Sequence, residues 1–270
     1  MSESAGSSSG KYYTVKNNID ASATAGWNSG AGFAPIASFE GMFNGNGRVI
    51  RNLTINRPTQ DAVGLFANVG WSNTAAPDSA VVENLGLEGC TVMGSNFVGS
   101  VVGYNDKGGT VRGCYATGSV TGIFEVGGLV GANDDSSTLS NCYATCSVTG
   151  IDRVGGLAGF SGYWKVINCY AAGPVSGQTN VGGLLGWSDG TVSGSYWDTN
   201  ATGQATSDGS ATGKSTAEMK QQASFAGWDF TAVWRITEDV TYPLLRTGVV
   251  PSGAGTEADP YQISQLVCCL

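Results

Sequence analysis

From Val111 onward, short runs of alternating apolar and polar residues are separated by glycine and asparagine. In "VRGCYATGSVTG", which starts at Val111, one alternate set is Cys114, Ala116, Gly118 and Val120. The other is Tyr115, Thr117, Ser119 and Thr121. "LSNCYATCSVTG" from Leu139 sets Cys142, Ala144, Cys146 and Val148 against Tyr143, Thr145, Ser147 and Thr149. Small apolar residues at a period of two predict strands with one buried face. The abundance of Gly, Thr, Val and Ser and the lack of a 3.6-residue period argue against helices.

The pattern recurs at nearly fixed intervals. "VGSVVGYN" at Val98 returns as "VGGLVGAN" at Val126, "VGGLAGFS" at Val154 and "VGGLLGWS" at Val181, spacings of 28, 28 and 27 residues. A degenerate copy starts at Val63. The cysteine-tyrosine runs fall between these copies, with a third at Val166 ("VINCYAAGPVSG"), a divergent form at Val192 and an early form at Val82. From Val111 to Val126, Leu139 to Val154 and Val166 to Val181 is 15 residues each, but Val82 to Val98 is 16. The extra residue predicts a β-bulge in the early copy.

A unit of this length with two or three short strands cannot bury its own apolar face. Stacked on its neighbours it can. The predicted fold is therefore all-β, a right-handed parallel β-helix with coils of about 27–28 residues, rising ~4.8 Å per coil, the spacing between paired strands. Equivalent residues then form columns. Glycine fits where a coil turns with positive φ and where backbones approach closely.

Composition narrows the functional classes. The 270 residues fit one large β domain. The 41% hydrophobic content argues against a disordered chain. A net charge of −8 disfavours nucleic acid as a partner. No apolar run approaches the ~20 residues of a membrane-spanning helix. The absence of histidine removes Ser-His-Asp and Cys-His catalysis and imidazole zinc sites. Carboxylate-based chemistry remains open. "MSESAGSSSG" at the N-terminus is polar and unlike a secretory signal.

Residues 126–133 and 141–145 resemble the GLUG motif, V-G-G-L-V-G-x-N followed by N-C-Y-A-T-G, and weaker copies extend the resemblance over roughly 60–200. The motif occurs in bacterial surface and secreted proteins, including stalks of immunoglobulin A1-specific metallopeptidases and filamentous-haemagglutinin-like adhesins. The resemblance implies a parallel β-helix on an extracellular or cell-surface protein and no catalytic residue. "FEGMFNGNGRVIRNLTIN", 39–56, is similar to the run that opens many such β-helices. "GAGTEADPYQISQL", 253–266, resembles the start of a further cassette, so the chain reads as part of a longer multidomain protein. The expected organisation is a disordered stretch at 1–11, first coils at 12–58, the repeat solenoid at 59–200, a loop and cap at 201–247, and a linker with a truncated cassette start at 248–270. Ser215 and Glu218 form a capping-box pattern, so "TAEMKQQASF" predicts a short helix. With Trp228 and Trp234 it is expected to shield the open end of the solenoid.

Candidate chemistry is sparse. Cys114, Cys142 and Cys169 share one column, and Cys90 and Cys146 a second. In-register side chains point the same way rather than at each other, which favours buried free thiols over disulfides. "GSATGKST" at 209–216 has three residues between its glycines where a phosphate loop needs four. Acidic turns at 105, 133 and 188 could hold calcium weakly but read as ordinary Asn/Asp turns. No paired carboxylates mark a glycosidase, no metal site is indicated and no cofactor is expected. A threonine array for ice binding fails where Ala172 and Ser176 break the columns.

The most suggestive outward feature is the column Tyr115, Tyr143, Tyr170 and Tyr196 opposite the cysteines, a candidate ligand surface for sugar rings. The same column could instead be a self-stacking ladder or lie under loops. The expected function is a non-enzymatic adhesin or stalk whose partner is a glycan or a host-surface protein. The alternative is a carbohydrate-active β-helix enzyme, a polysaccharide lyase or hydrolase.

Overall fold

The repeat columns become parallel ladders in the computed structural model, which describes residues 8–70, 80–163 and 165–246 and the backbone of 261–263. Val111 pairs with Leu139, Leu139 with Val166 and Val166 with Val192. Tyr115, Tyr143, Tyr170 and Tyr196 pair in the same succession. The result is a parallel β-solenoid of about six turns with coils of roughly 28 residues.

Three ladders make up its walls. The longest holds the cysteine-tyrosine strands. A second stacks Asn96–Val98, Phe124–Gly127, Asp152–Gly155 and Thr179–Gly182. A third runs through Ile36–Phe39, Phe66–Val69, Val102–Asn105, Val130–Asn133, Ala158–Ser161 and Leu185–Ser188. The 16-residue spacing is a register shift: Ala116 faces Leu87 while Gly118 faces Cys90, which leaves the extra residue at 88–89.

Alternation sets the core. Cys114, Ala116, Val120, Cys142, Ala144 and Val148 are all buried, as are the valines that open each glycine motif. Five described cysteines, at 90, 114, 142, 146 and 169, are buried free thiols. Cys268 and Cys269 lie outside the described residues. The residue before each column cysteine turns the corner with φ of 50–60°, and is Gly113, Asn141 or Asn168. Asparagine and glycine tolerate this conformation best, which explains their interchange in the repeat.

The triple glycines have a separate cause. A methyl on Gly131 would strike the Phe97 and Gly103 backbones, and one on Gly159 the Glu125–Val126 backbone. The third ladder thus lies directly against the second with no side chain between them, while Val126, Leu129 and Val130 turn into the core.

The C-terminal segment departs from expectation. Thr212–Lys214 adds one more parallel strand beyond Tyr196–Asp198. Trp197 lies in the core at that end of the solenoid. Residues 215–246 do not shield the open end; they lie along the flank, over the tyrosine column. The capping box forms, with Glu218 accepting from the Ser215 amide at 2.8 Å. In place of one helix it starts two short 3-10 turns, 218–220 and 222–224. The apolar side chains of the segment are irregularly spaced and fit a flat wall of rings better than a helical stripe. At the other end of the solenoid, Tyr261–Ile263 pairs in parallel with Tyr13–Val15. The remainder of 248–270 and residues 1–7 lie outside the described residues.

Candidate functional site

The tyrosine column stacks at the pitch of the solenoid. Rings of Tyr115 and Tyr143, and of Tyr143 and Tyr170, lie 4.9 Å apart at 7°. Parallel in-register pairing places identical side chains one coil apart, so the backbone dictates this face-to-face stack.

Of the two arrangements open from sequence, a ligand surface or a stacked ladder lying under other segments, the column takes the second along most of its length. Tyr170 is fully buried, and Tyr143 and Tyr196 are 6% and 9% exposed. Met219, Phe225, Trp228 and Trp234 cover them. The Tyr170 hydroxyl donates to the Pro243 carbonyl at 2.8 Å, and the Trp228 indole donates to the Gly194 carbonyl at 2.7 Å. Arg246 pins the cover to itself by donating to the Trp234 and Phe230 carbonyls. Outward-facing rings on a sheet are themselves apolar area, and the aromatic segment that follows in sequence buries them.

The first rung is the most exposed of the four. Tyr115 is half-buried and lines a cleft of about 380 Å³ between the solenoid and the edge of the cover. In its column on the preceding coil stands Gly86, where a methyl would sit 2.5 Å from the tyrosine ring. The ring therefore leans over Gly86 with no side chain beneath it. Its hydroxyl donates to Glu88 at 2.8 Å, and Glu88 also pairs with Arg51 at 2.9 Å. Burial, then the Glu88 bond, pushes the Tyr115 phenol well above its usual range.

Around this ring the cleft is polar. Asn44, Asn84 and Asn141 contribute amides, and Arg112 and Arg246 guanidiniums. Arg112 is held by Glu83 at 2.6 Å, and Glu83 in turn accepts from Asn44 at 2.7 Å. No carboxylate belongs to the lining. Sequence reading missed these residues because they come from coils far apart in the chain. Asn84 and Asn141 carried a signal, since both occupy the left-handed corner of their coil.

A second aromatic surface also went unread. On the third ladder Tyr104, Ala132, Phe160 and Trp187 share an outward column. Arg153, paired with Glu125, sits 5.4 Å over Phe160 and 5.2 Å over Trp187. The acidic turns gather no group of three or more metal-binding side chains among the described residues.

Residues 94–121 and 123–149 match the family described as the GLUG motif. The chain carries GLUG repeats. Each GLUG unit is one coil: it enters on the second ladder, crosses to the third and closes on the cysteine-tyrosine strand. Over 118 residues, 42% of the chain, it is 44% identical to halomucin of Haloquadratum walsbyi, of which it spans 1%. Over 58 residues it is 47% identical to a protein of Evansella cellulosilytica described as a candidate Gly-rich membrane protein, of which it spans 6%. The chain thus covers a small part of these relatives. A solved structure from Bacteroides ovatus, described as a candidate immunoglobulin A1 protease, shares the fold with a TM-score of 0.60 at 19% identity, over 89% of this chain and 88% of that one.

Proposed function

We propose that this chain is a non-enzymatic segment of an extracellular or surface protein and serves as a rigid stalk. One observation carries the reading. The valine column from Val63 to Val181 and the tyrosine column from Tyr115 to Tyr196 keep register from coil to coil, and one buried apolar cluster joins the coils. The cover adds a lateral brace across four of those coils through Tyr115, Tyr143, Tyr170 and Tyr196. Such a body transmits load along its axis.

The names of the curated relatives, a halomucin and a candidate membrane protein, support a surface location. No helix among the described residues is long and apolar enough to cross a membrane. Force spectroscopy on the purified chain, pulled through its termini, tests the stalk. The expected trace is one cooperative event after the cover detaches. Stepwise yielding of individual coils at low force would refute it. An adhesive role is the second reading, favoured by the cleft beside Tyr115.

A further inference from the structure

The first strand of the solenoid has two neighbours. Tyr12–Val15 pairs on one side with the strand that starts at Met42. On the other it takes Tyr261–Ile263 in parallel register, with Thr14 opposite Gln262. Among the described residues no other strand reaches that edge. Residues 8–11 fold the other way: the Glu40 amide donates to Ser8 Oγ at 2.7 Å, and the Met42 amide donates to the Lys11 carbonyl at 2.8 Å. The Lys11 bond fixes which backbone groups face outward. Hydrogen-bonding direction alternates along a strand, so Lys11, Tyr13 and Val15 turn toward the Met42 strand, and Tyr12 and Thr14 turn toward the edge. Gln262 stands opposite Thr14, so its neighbours Tyr261 and Ile263 complete the bonds to Thr14.

The added strand is lightly held and loosely tethered. Its pairing spans three residues. Arg246, at the end of the cover, lines the same cleft as Asn44, and Asn44 pairs with Thr14. Two strand spacings, ~10 Å, separate the strand of Asn44 from that of Gln262. The fourteen residues 247–260 can extend to ~46 Å. A strand tethered in this way can leave its own edge and remake the same bonds on another molecule.

We infer that Tyr12–Val15 is a strand-acceptor edge whose partner is the Tyr261–Ile263 strand of a second copy of this chain, so that copies join head to tail. In a lone molecule the edge is filled in cis. The tether gives the chain's own strand an effective concentration of ~1 mM, so exchange sets in as copies crowd toward that level. The joint lengthens the stalk proposed above and rests on that reading for its use. Its test reads association rather than force, so the two fail separately.

The test mixes two full-length variants. Thr14→Pro removes an acceptor amide and leaves the bonds to the Met42 strand in place, while Ile263→Pro removes a donor amide. Analytical ultracentrifugation at ~0.5 mM, near the tether's effective concentration, should find each variant alone at the mass of one chain and the equal mixture at twice that mass. Hydrogen exchange at 12–15 of the Ile263→Pro chain should slow about tenfold on mixing. A labelled peptide of residues 256–266 gives a second measurement that does not need Thr14→Pro to fold. It should bind saturably to the Ile263→Pro chain and at least about tenfold more weakly to the wild type, whose own strand occupies the edge. A mixture that stays at the mass of one chain, variants that associate as readily alone, or a peptide that binds both chains equally or neither would each overturn the inference.

Discussion

Trp234→Ala tests how the cover is held. Trp234 is fully buried, with its ring 4.3 Å from Trp228, 6.2 Å from Tyr170 and 6.3 Å from Tyr143. Truncating a buried Trp costs about 3–5 kcal/mol in lost transfer and cavity terms. Each lost ring pair adds ~0.5–1.5 kcal/mol. The coils themselves are joined by ladder hydrogen bonds that do not involve the cover. The loss should therefore appear as local opening of 215–246 rather than as global unfolding. A change of at least ~4 kcal/mol raises the opening constant a thousandfold or more. Hydrogen exchange read by mass spectrometry should show rapid exchange across 215–246, with protection retained in 111–121, 138–149 and 165–176. If the coils lose protection in step with the cover, or the cover keeps wild-type protection, the brace is wrongly described. Trp234→Phe should recover most of the protection.

Alkali should release the same cover. Burial raises the phenols of Tyr143 and Tyr170 above their ordinary value. The folded state therefore holds those protons where the unfolded chain loses them. Stability is fully present below pH ~10 and falls above it by up to ~1.4 kcal/mol per pH unit for each phenol, which denaturant titrations at pH 9, 10 and 11 would register. Gly131→Ala places a methyl against the Phe97 and Gly103 backbones and should cost more than the ~1–3 kcal/mol of ordinary overpacking. Gly26→Ala, with open space around it, should be neutral within ~1 kcal/mol in the same urea titration. A thiol reagent should find the five buried cysteines inert until denaturant is added, so at most two of the seven react with native protein; three or more fast-reacting thiols would contradict the core assignment.

Much of the fold was legible because a solenoid writes its geometry into sequence. Alternation at a period of two chose the buried face of each strand, as at Cys114, Ala116 and Val120. The 28-residue spacing set the pairing, and the single extra residue between Val82 and Val98 announced a bulge in that coil, which the register places at 88–89. These are local rules applied once per coil, and stacking repeats their consequence. The asparagine or glycine before each cysteine encoded the corner in the same way.

The candidate site was legible only in part. Sequence alone placed Tyr115, Tyr143, Tyr170 and Tyr196 in one outward column, and the pairing reproduces it. It left open whether that column meets water. The answer depends on where 215–246 docks, a segment with no repeat to fix its register. Burying Trp228, Trp234 and Phe225 on the rings of the flank decided it. The cleft beside Tyr115 follows from the same event, since it joins Asn44, Asn84, Arg112 and Arg246 from stretches up to two hundred residues apart. Periodicity determined the columns of this protein because each coil obeys its immediate neighbours. Tertiary packing alone decided which rung stays open, because a non-repeating segment is positioned by the apolar area it covers.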